Sequence, residues 1–144
     1  MNFKTFLIIA IMVFSIIVSS CDKEDETTNT PEPTVIFFTD NTSYVDLDNI
    51  VFTIKNETPD TVKYGACAFS DVLDIEIQKK TDSAWVTTNS TLCLDYMWAN
   101  LAANSQISDT ISADMLEQGD YRIKSKLIVG SNNTVLYSGE FNKR

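Results

Sequence analysis

Tyr121-Arg122-Ile123-Lys124-Ser125-Lys126-Leu127-Ile128-Val129 is the stretch that decides the fold. Tyr121, Ile123, Ser125, Leu127 and Val129 share one parity, while Arg122, Lys124 and Lys126 share the other. Side chains of an extended backbone alternate between faces, so this pattern predicts a strand with one dry and one wet face. Gly130-Ser131-Asn132-Asn133 supplies turn chemistry, and Thr134–Phe141 then returns with Val135, Tyr137 and Phe141 in common parity. The pattern is that of a hairpin.

Upstream the same alternation recurs. Val35-Ile36-Phe37-Phe38 reads as a first strand. Ile50, Phe52 and Ile54 alternate with Val51, Thr53 and Lys55 before the turn Asn56-Glu57-Thr58-Pro59-Asp60. Val62-Lys63-Tyr64 opens another strand, and Leu73, Ile75 and Ile77 alternate with Asp74, Glu76 and Gln78. Thr81-Asp82-Ser83 turns into Trp85-Val86, with Trp85 expected in the core. Ile107 and Ile111 bracket a further strand; Asp114–Gln118 fits one helical turn, and Asp95–Ala103 fits a helix or a loop. Periodicity of the helical kind is nearly absent. The expected architecture is all-β, an antiparallel β-sandwich of about seven strands occupying residues 34–144.

Leu116-Glu117-Gln118-Gly119-Asp120-Tyr121 resembles the tyrosine corner of Greek-key sandwiches, in which a phenol bonds backbone across an arch and a glycine permits the turn. The order of features from Asn49 to Phe141 is similar to bacterial immunoglobulin-like domains. The matching pieces are Ile50–Asn56, Val62-Lys63-Tyr64-Gly65, Ile75-Glu76-Ile77-Gln78 leading to Trp85, and Gly119-Asp120-Tyr121-Arg122-Ile123. At Leu101–Ser105 such domains often carry a Pro-Gly turn, and this chain has Ala102-Ala103-Asn104 instead. The resemblance implies an immunoglobulin-like fold; fold does not fix function.

The amino-terminal segment speaks of address. Met1–Thr5 is weakly basic, and Phe6–Val18 is interrupted by Ser15 alone. Thirteen helical residues reach roughly 20 Å, short of a hydrocarbon core of about 30 Å, so the segment fits a secretory signal better than a permanent span. Val18-Ser19-Ser20-Cys21 resembles the lipobox of bacterial lipoproteins. That resemblance implies cleavage of residues 1–20 and diacylation of the Cys21 thiol, which anchors the chain in a membrane. Residues 21–33 hold Asp22-Lys23-Glu24-Asp25-Glu26 and two prolines, an acidic disordered tether. Asp22 after the lipidated cysteine resembles an inner-membrane retention signal of enteric bacteria. Lys23-Glu24-Asp25 resembles the export signal of Bacteroidetes surface lipoproteins. The longer acidic run and the Asn/Thr-rich composition favour the second, an outer-membrane lipoprotein displayed at the surface.

Composition excludes several functions. The 144-residue chain carries a net charge of −9, and loss of residues 1–20 removes only Lys4, giving 10 − 20 = −10. That balance opposes nucleic acid and anionic headgroups as partners. Histidine is absent, which removes the commonest general base and most zinc and copper sites. No cofactor motif occurs, and four glycines leave no phosphate-cradling loop. Asp46-Leu47-Asp48-Asn49 offers oxygen ligands but lacks the glycine and terminal Glu of a calcium loop, so a solvated turn is expected and no metal. Three cysteines are odd in number for an exported chain. With Cys21 lipidated, Cys67 and Cys93 remain as a pair, expected as a disulfide outside the cytoplasm.

Two sets of residues remain as candidate sites. Tyr96-Met97-Trp98 cannot all face one side of a strand, and exposed aromatics beside Met mark binding patches; the alternative is that they cover the end of the core beside Cys93. Asp60-Thr61-Val62, Asp82-Ser83-Ala84 and Asp109-Thr110-Ile111 resemble the Bacteroidetes O-glycosylation motif, with Thr61, Ser83 and Thr110 as acceptors near expected turns. The sequence therefore predicts a membrane-anchored, non-enzymatic lipoprotein whose module contacts an unknown protein or glycan. The alternative is a proteinase inhibitor of immunoglobulin-like fold, inserting Asn100–Gln106 into a protease cleft.

Overall fold

The computed structural model describes residues 34–68 and 72–144. Contacts divide the chain into Met1–Pro31 and Glu32–Arg144, and every described residue belongs to the second unit. The signal segment, Cys21 and the tether lie outside the described residues.

Among the described residues, eleven strands make two sheets. In chain order they are β1 (Val35–Thr39), β2 (Ser43–Tyr44), β3 (Asn49–Asn56), β4 (Val62–Cys67), β5 (Ile75–Lys80), β6 (Trp85–Ser90), β7 (Tyr96–Leu101), β8 (Gln106–Ser112), β9 (Gly119–Val129), β10 (Asn132–Tyr137) and β11 (Phe141–Lys143). The only helical element among the described residues is a 3-10 turn at Ala113–Met115, overlapping the stretch expected to make one. The smaller sheet runs β1-β3-β8. The larger is organised around β9, which pairs antiparallel with β4, β5, β10 and β11. β6 adds to β5, β7 adds to β4, and β2 joins β11 in parallel, so the larger sheet is mixed.

The all-β sandwich is thus as the alternation foretold, with a core between the sheets. Phe37, Ile50, Phe52 and Ile54 of the smaller sheet meet Val62, Tyr64, Ile75, Ile77, Ile123 and Leu127 of the larger. Strands beyond the expected seven or so are the two-residue β2, the short β11, and β7. The last replaces the helix or loop expected over Asp95–Ala103: pairing with β4 in register from Val62↔Leu101 to Cys67↔Tyr96 satisfies the backbone as a strand does. The returning limb of the β9 hairpin also breaks in two. Val135 and Tyr137 lie opposite Lys126 and Lys124 on the wet face, while Phe141 is buried in a separate strand after Ser138-Gly139-Glu140. Their shared parity in sequence is therefore not a shared face.

Trp85 departs from expectation too. It stands opposite Lys80 on the outer face and is only half-buried. The Arg122 guanidinium lies 4.4 Å from its ring and 3.9 Å from that of Tyr137, and Arg122 Nε donates to Gln78 Oε1 at 2.8 Å. A cation between two aromatic faces is a favourable surface stack, so this indole is fixed without entering the core.

Candidate functional site

Among the strands of the described residues β7 pairs with β4 alone and stands at the edge of the sheet. Its outer face carries Tyr96, Trp98 and Asn100 opposite Cys67, Gly65 and Lys63. Gly65 has no side chain, and Tyr96 occupies the space: a Cβ there would lie 3.0 Å from Tyr96 Oη and 3.3 Å from Asp74 Cβ. The Tyr96 and Trp98 rings meet edge to face, with centroids 5.3 Å apart. Partial burial, followed by the nearby Asp74 carboxylate, pushes the Tyr96 phenol pKa upward, so the group stays neutral. Met97 has inward parity opposite Ala66 but is 44% exposed, while Leu101 of the same strand is buried in the core. All three residues singled out in the sequence are exposed, with Trp98 the least so at 36%.

The segment leading into β7 enlarges the patch. Leu92 and Leu94 are 92% and 101% exposed, so five of the thirteen exposed large hydrophobics fall between Leu92 and Trp98. No other stretch of the described residues is so dense in them. Between the two leucines, Cys93 is bonded to Cys67 at the end of β4, with a Cα–Cα distance of 4.9 Å. Ala68 N–H donates to the Asp95 carbonyl at 2.7 Å, and Thr91 Oγ1 donates to the Leu73 carbonyl at 3.0 Å. The disulfide and these bonds hold the segment against the sheet while both leucines point to water. Leu92 and Leu94 were missed in the sequence; the signal that could have found them was an apolar residue on each side of an expected half-cystine.

Other candidates are dispersed. Asp46 Oδ1 is ion-paired with the buried Lys143 at 2.5 Å, and Asp48 Oδ2 accepts the Val45 N–H at 2.8 Å, so both carboxylates are used within the fold. Among the described residues no group of three His, Cys, Asp or Glu is placed to hold a metal. Thr61 and Ser83 are exposed and lie outside the strands. Thr110 is exposed as well, but within β8 rather than near a turn, paired with Val51 of β3, and the neighbouring Asp109 accepts the Leu73 N–H at 3.0 Å. A cleft of about 210 Å³ borders Lys79, Glu117 and Met115, where Lys79 Nζ is paired with Glu117 Oε2 at 2.8 Å. The segment Asn100–Gln106, assigned to a protease cleft in the inhibitor reading, has strand at both ends. Only residues 102–105 turn, and Asn56 Nδ2 ties the Ala102 carbonyl down at 2.9 Å.

No family model and no curated protein sequence matches the chain. Solved structures of low similarity include the alkylpurine DNA glycosylase AlkC of Pseudomonas fluorescens bound to DNA. It has 13% identity and a TM-score of 0.39 over 76% of this chain and 30% of that one. A beta-glucosidase variant of Listeria innocua in complex with laminaribiose gives 11% identity and 0.38 over 78% of this chain and 16% of that one. The bacterial superantigen toxic shock syndrome toxin-1 gives 6% and 0.39 over 76% and 98%. The chain spans less than a third of the length of the first two, and at these scores neither activity nor ligand carries across.

Proposed function

We propose that this chain is a bacterial lipoprotein, anchored through acylated Cys21 in the outer membrane and displayed at the cell surface, whose sandwich is a non-enzymatic binding module. The observation that carries the binding role is the exposed apolar run Leu92–Trp98, braced by the Cys67–Cys93 disulfide. Exposed aromatics that are rigid before contact cost little entropy to bury, which is what a protein or glycan contact needs. The address rests on the signal-like Phe6–Val18 and the lipobox-like Val18–Cys21. An immunoglobulin-like topology, as the sequence resemblance implies, belongs to the same reading.

Metabolic labelling with a clickable palmitate analogue should mark the wild-type protein and leave Cys21→Ser unmarked. Protease shaving of intact cells should release fragments of residues 34–144. In a pull-down, Trp98→Ala should lose material that wild type recovers. An unlabelled wild type removes the anchor, full protection from protease removes surface display, and identical recovery removes the patch.

A further inference from the structure

Two pairs of aromatic side chains stand on the outer face of the larger sheet, and they differ in what fills them. Trp85 and Tyr137 hold the Arg122 guanidinium, which lies 4.4 Å and 3.9 Å from their ring centroids. Lys80 Nζ adds a second cation 5.5 Å from the Trp85 ring. Tyr96 and Trp98 have no such neighbour: within the described residues, cation–ring contacts fall on Tyr121, Trp85 and Tyr137 alone. Their geometry is nevertheless open to one. The two ring planes meet at 85° with centroids 5.3 Å apart, and perpendicular rings leave a corner bounded by two π faces. A cation in that corner is attracted by both quadrupoles.

The charges around the corner suit a cation. The Cβ position of Gly65 that lies 3.0 Å from Tyr96 Oη is 3.3 Å from Asp74 Cβ, so Asp74 stands beside the phenol. Asp95 immediately precedes Tyr96 and is exposed. The ion pairs of the described residues engage neither carboxylate. Lys63, opposite Asn100, and Lys126 of β9 are the nearest basic residues on this face by register, and neither lies over a ring of the pair. Residues 34–144 carry 9 basic and 15 acidic side chains, 9 − 15 = −6, a field that draws in a basic partner.

We propose that the Tyr96–Trp98 corner receives an arginine side chain of a partner protein, seated as Arg122 is seated by Trp85 and Tyr137. Arginine fits better than lysine because its planar, weakly hydrated guanidinium stacks on aromatic faces, whereas an ammonium holds its water. The exposed Leu92 and Leu94 beside the corner offer apolar contact to residues flanking that arginine. A polypeptide supplies both the guanidinium and the apolar flanks, and a neutral sugar chain supplies neither. This deepens the reading of Leu92–Trp98 as a contact surface and rests on it, but not on lipidation.

The chain has two tryptophans, so its two indole N–H signals in NMR report the filled and the open pair separately. The probe is the capped peptide Leu-Gly-Arg-Gly-Leu, titrated to about 20 mM against the full chain in maltoside micelles, with citrulline replacing arginine as the uncharged control. The Trp98 signal should move with the arginine peptide, stay still with citrulline, and respond less as salt is raised; the Trp85 signal should not move. Trp98→Ala, followed through backbone signals of β7, should weaken binding about fivefold. Asp74→Asn should weaken it about twofold and Lys63→Gln should strengthen it by a similar factor. Equal binding of the citrulline peptide, or a Trp98 signal that stays still throughout, overturns the assignment of arginine. Either result leaves the pull-down with Trp98→Ala to decide whether Leu92–Trp98 binds at all.

Discussion

Tyr121 donates its phenol proton to the Glu117 carbonyl at 3.0 Å, closing the arch that Leu116 and Gly119 shape. Gly119 has φ +147°, and a Cβ there would lie 2.8 Å from Lys79 Cε, so no larger residue fits without displacing that side chain. The Leu-x-x-Gly-x-Tyr spacing was legible in the sequence because each member answers a local demand of backbone geometry. Trp85 was not legible in this way: its burial depends on Arg122 and Tyr137, distant in sequence and brought beside it by strand pairing. Tyr121→Phe keeps the ring stacked on Phe141 and leaves the Glu117 carbonyl without its donor. A loss of about 1–2 kcal/mol in urea unfolding is expected, with an unchanged fold by circular dichroism.

At the scale of elements, the segment between β6 and β7 owes its position to one covalent link. Cys67 and Cys93 are 26 residues apart, and a loop of that length should contribute roughly 3 kcal/mol on the chain-entropy account. Cys93→Ser should therefore lower the unfolding free energy in urea by a comparable amount. Hydrogen exchange should rise first at residues 91–95 and in β7, while β3 and β9 stay protected. Equal acceleration everywhere would mean that the bond steadies the whole sandwich rather than this edge. The pairing of the two cysteines followed from counting, given a lipidated Cys21. That β7 is a strand did not follow, because Tyr96–Leu101 lacks the apolar–polar alternation of a one-sided strand and Leu101 alone of its six residues is fully buried.

For the molecule as a whole, pH bounds stability from both sides. The Lys124 ammonium hydrogen-bonds Glu76 and holds its carboxyl below the usual range, with Nζ–Oε2 at 2.8 Å. The folded state thus binds this proton less readily than the unfolded one, and the contribution present above about pH 4.5 is lost as pH falls through the lowered value. Burial, then the hydrogen bond to Asp40, pushes the Tyr44 phenol up to about 12. The unfolded chain releases that proton first, so stability is complete below about pH 10 and declines as pH rises from 10 towards 12. Thermal melts across pH should show Glu76→Gln flattening the acid limb and Tyr44→Phe flattening the alkaline limb. Superimposable profiles would mean that other groups control both.

The sequence by itself determined that the chain is built from strands, which residues of β3, β5 and β9 face inward, and where the tyrosine corner turns. Those features follow from period-two alternation and local turn chemistry, which nearest neighbours in the chain suffice to impose. Only the tertiary structure decided that Tyr96, Met97 and Trp98 lie on an open edge, that Leu92 and Leu94 join them, and that Trp85 belongs to the surface. Each of those outcomes depends on which strands pair, which edge is left without a neighbour and which side chains the pairing brings together. Those pairings join residues tens of positions apart, and no local pattern records them.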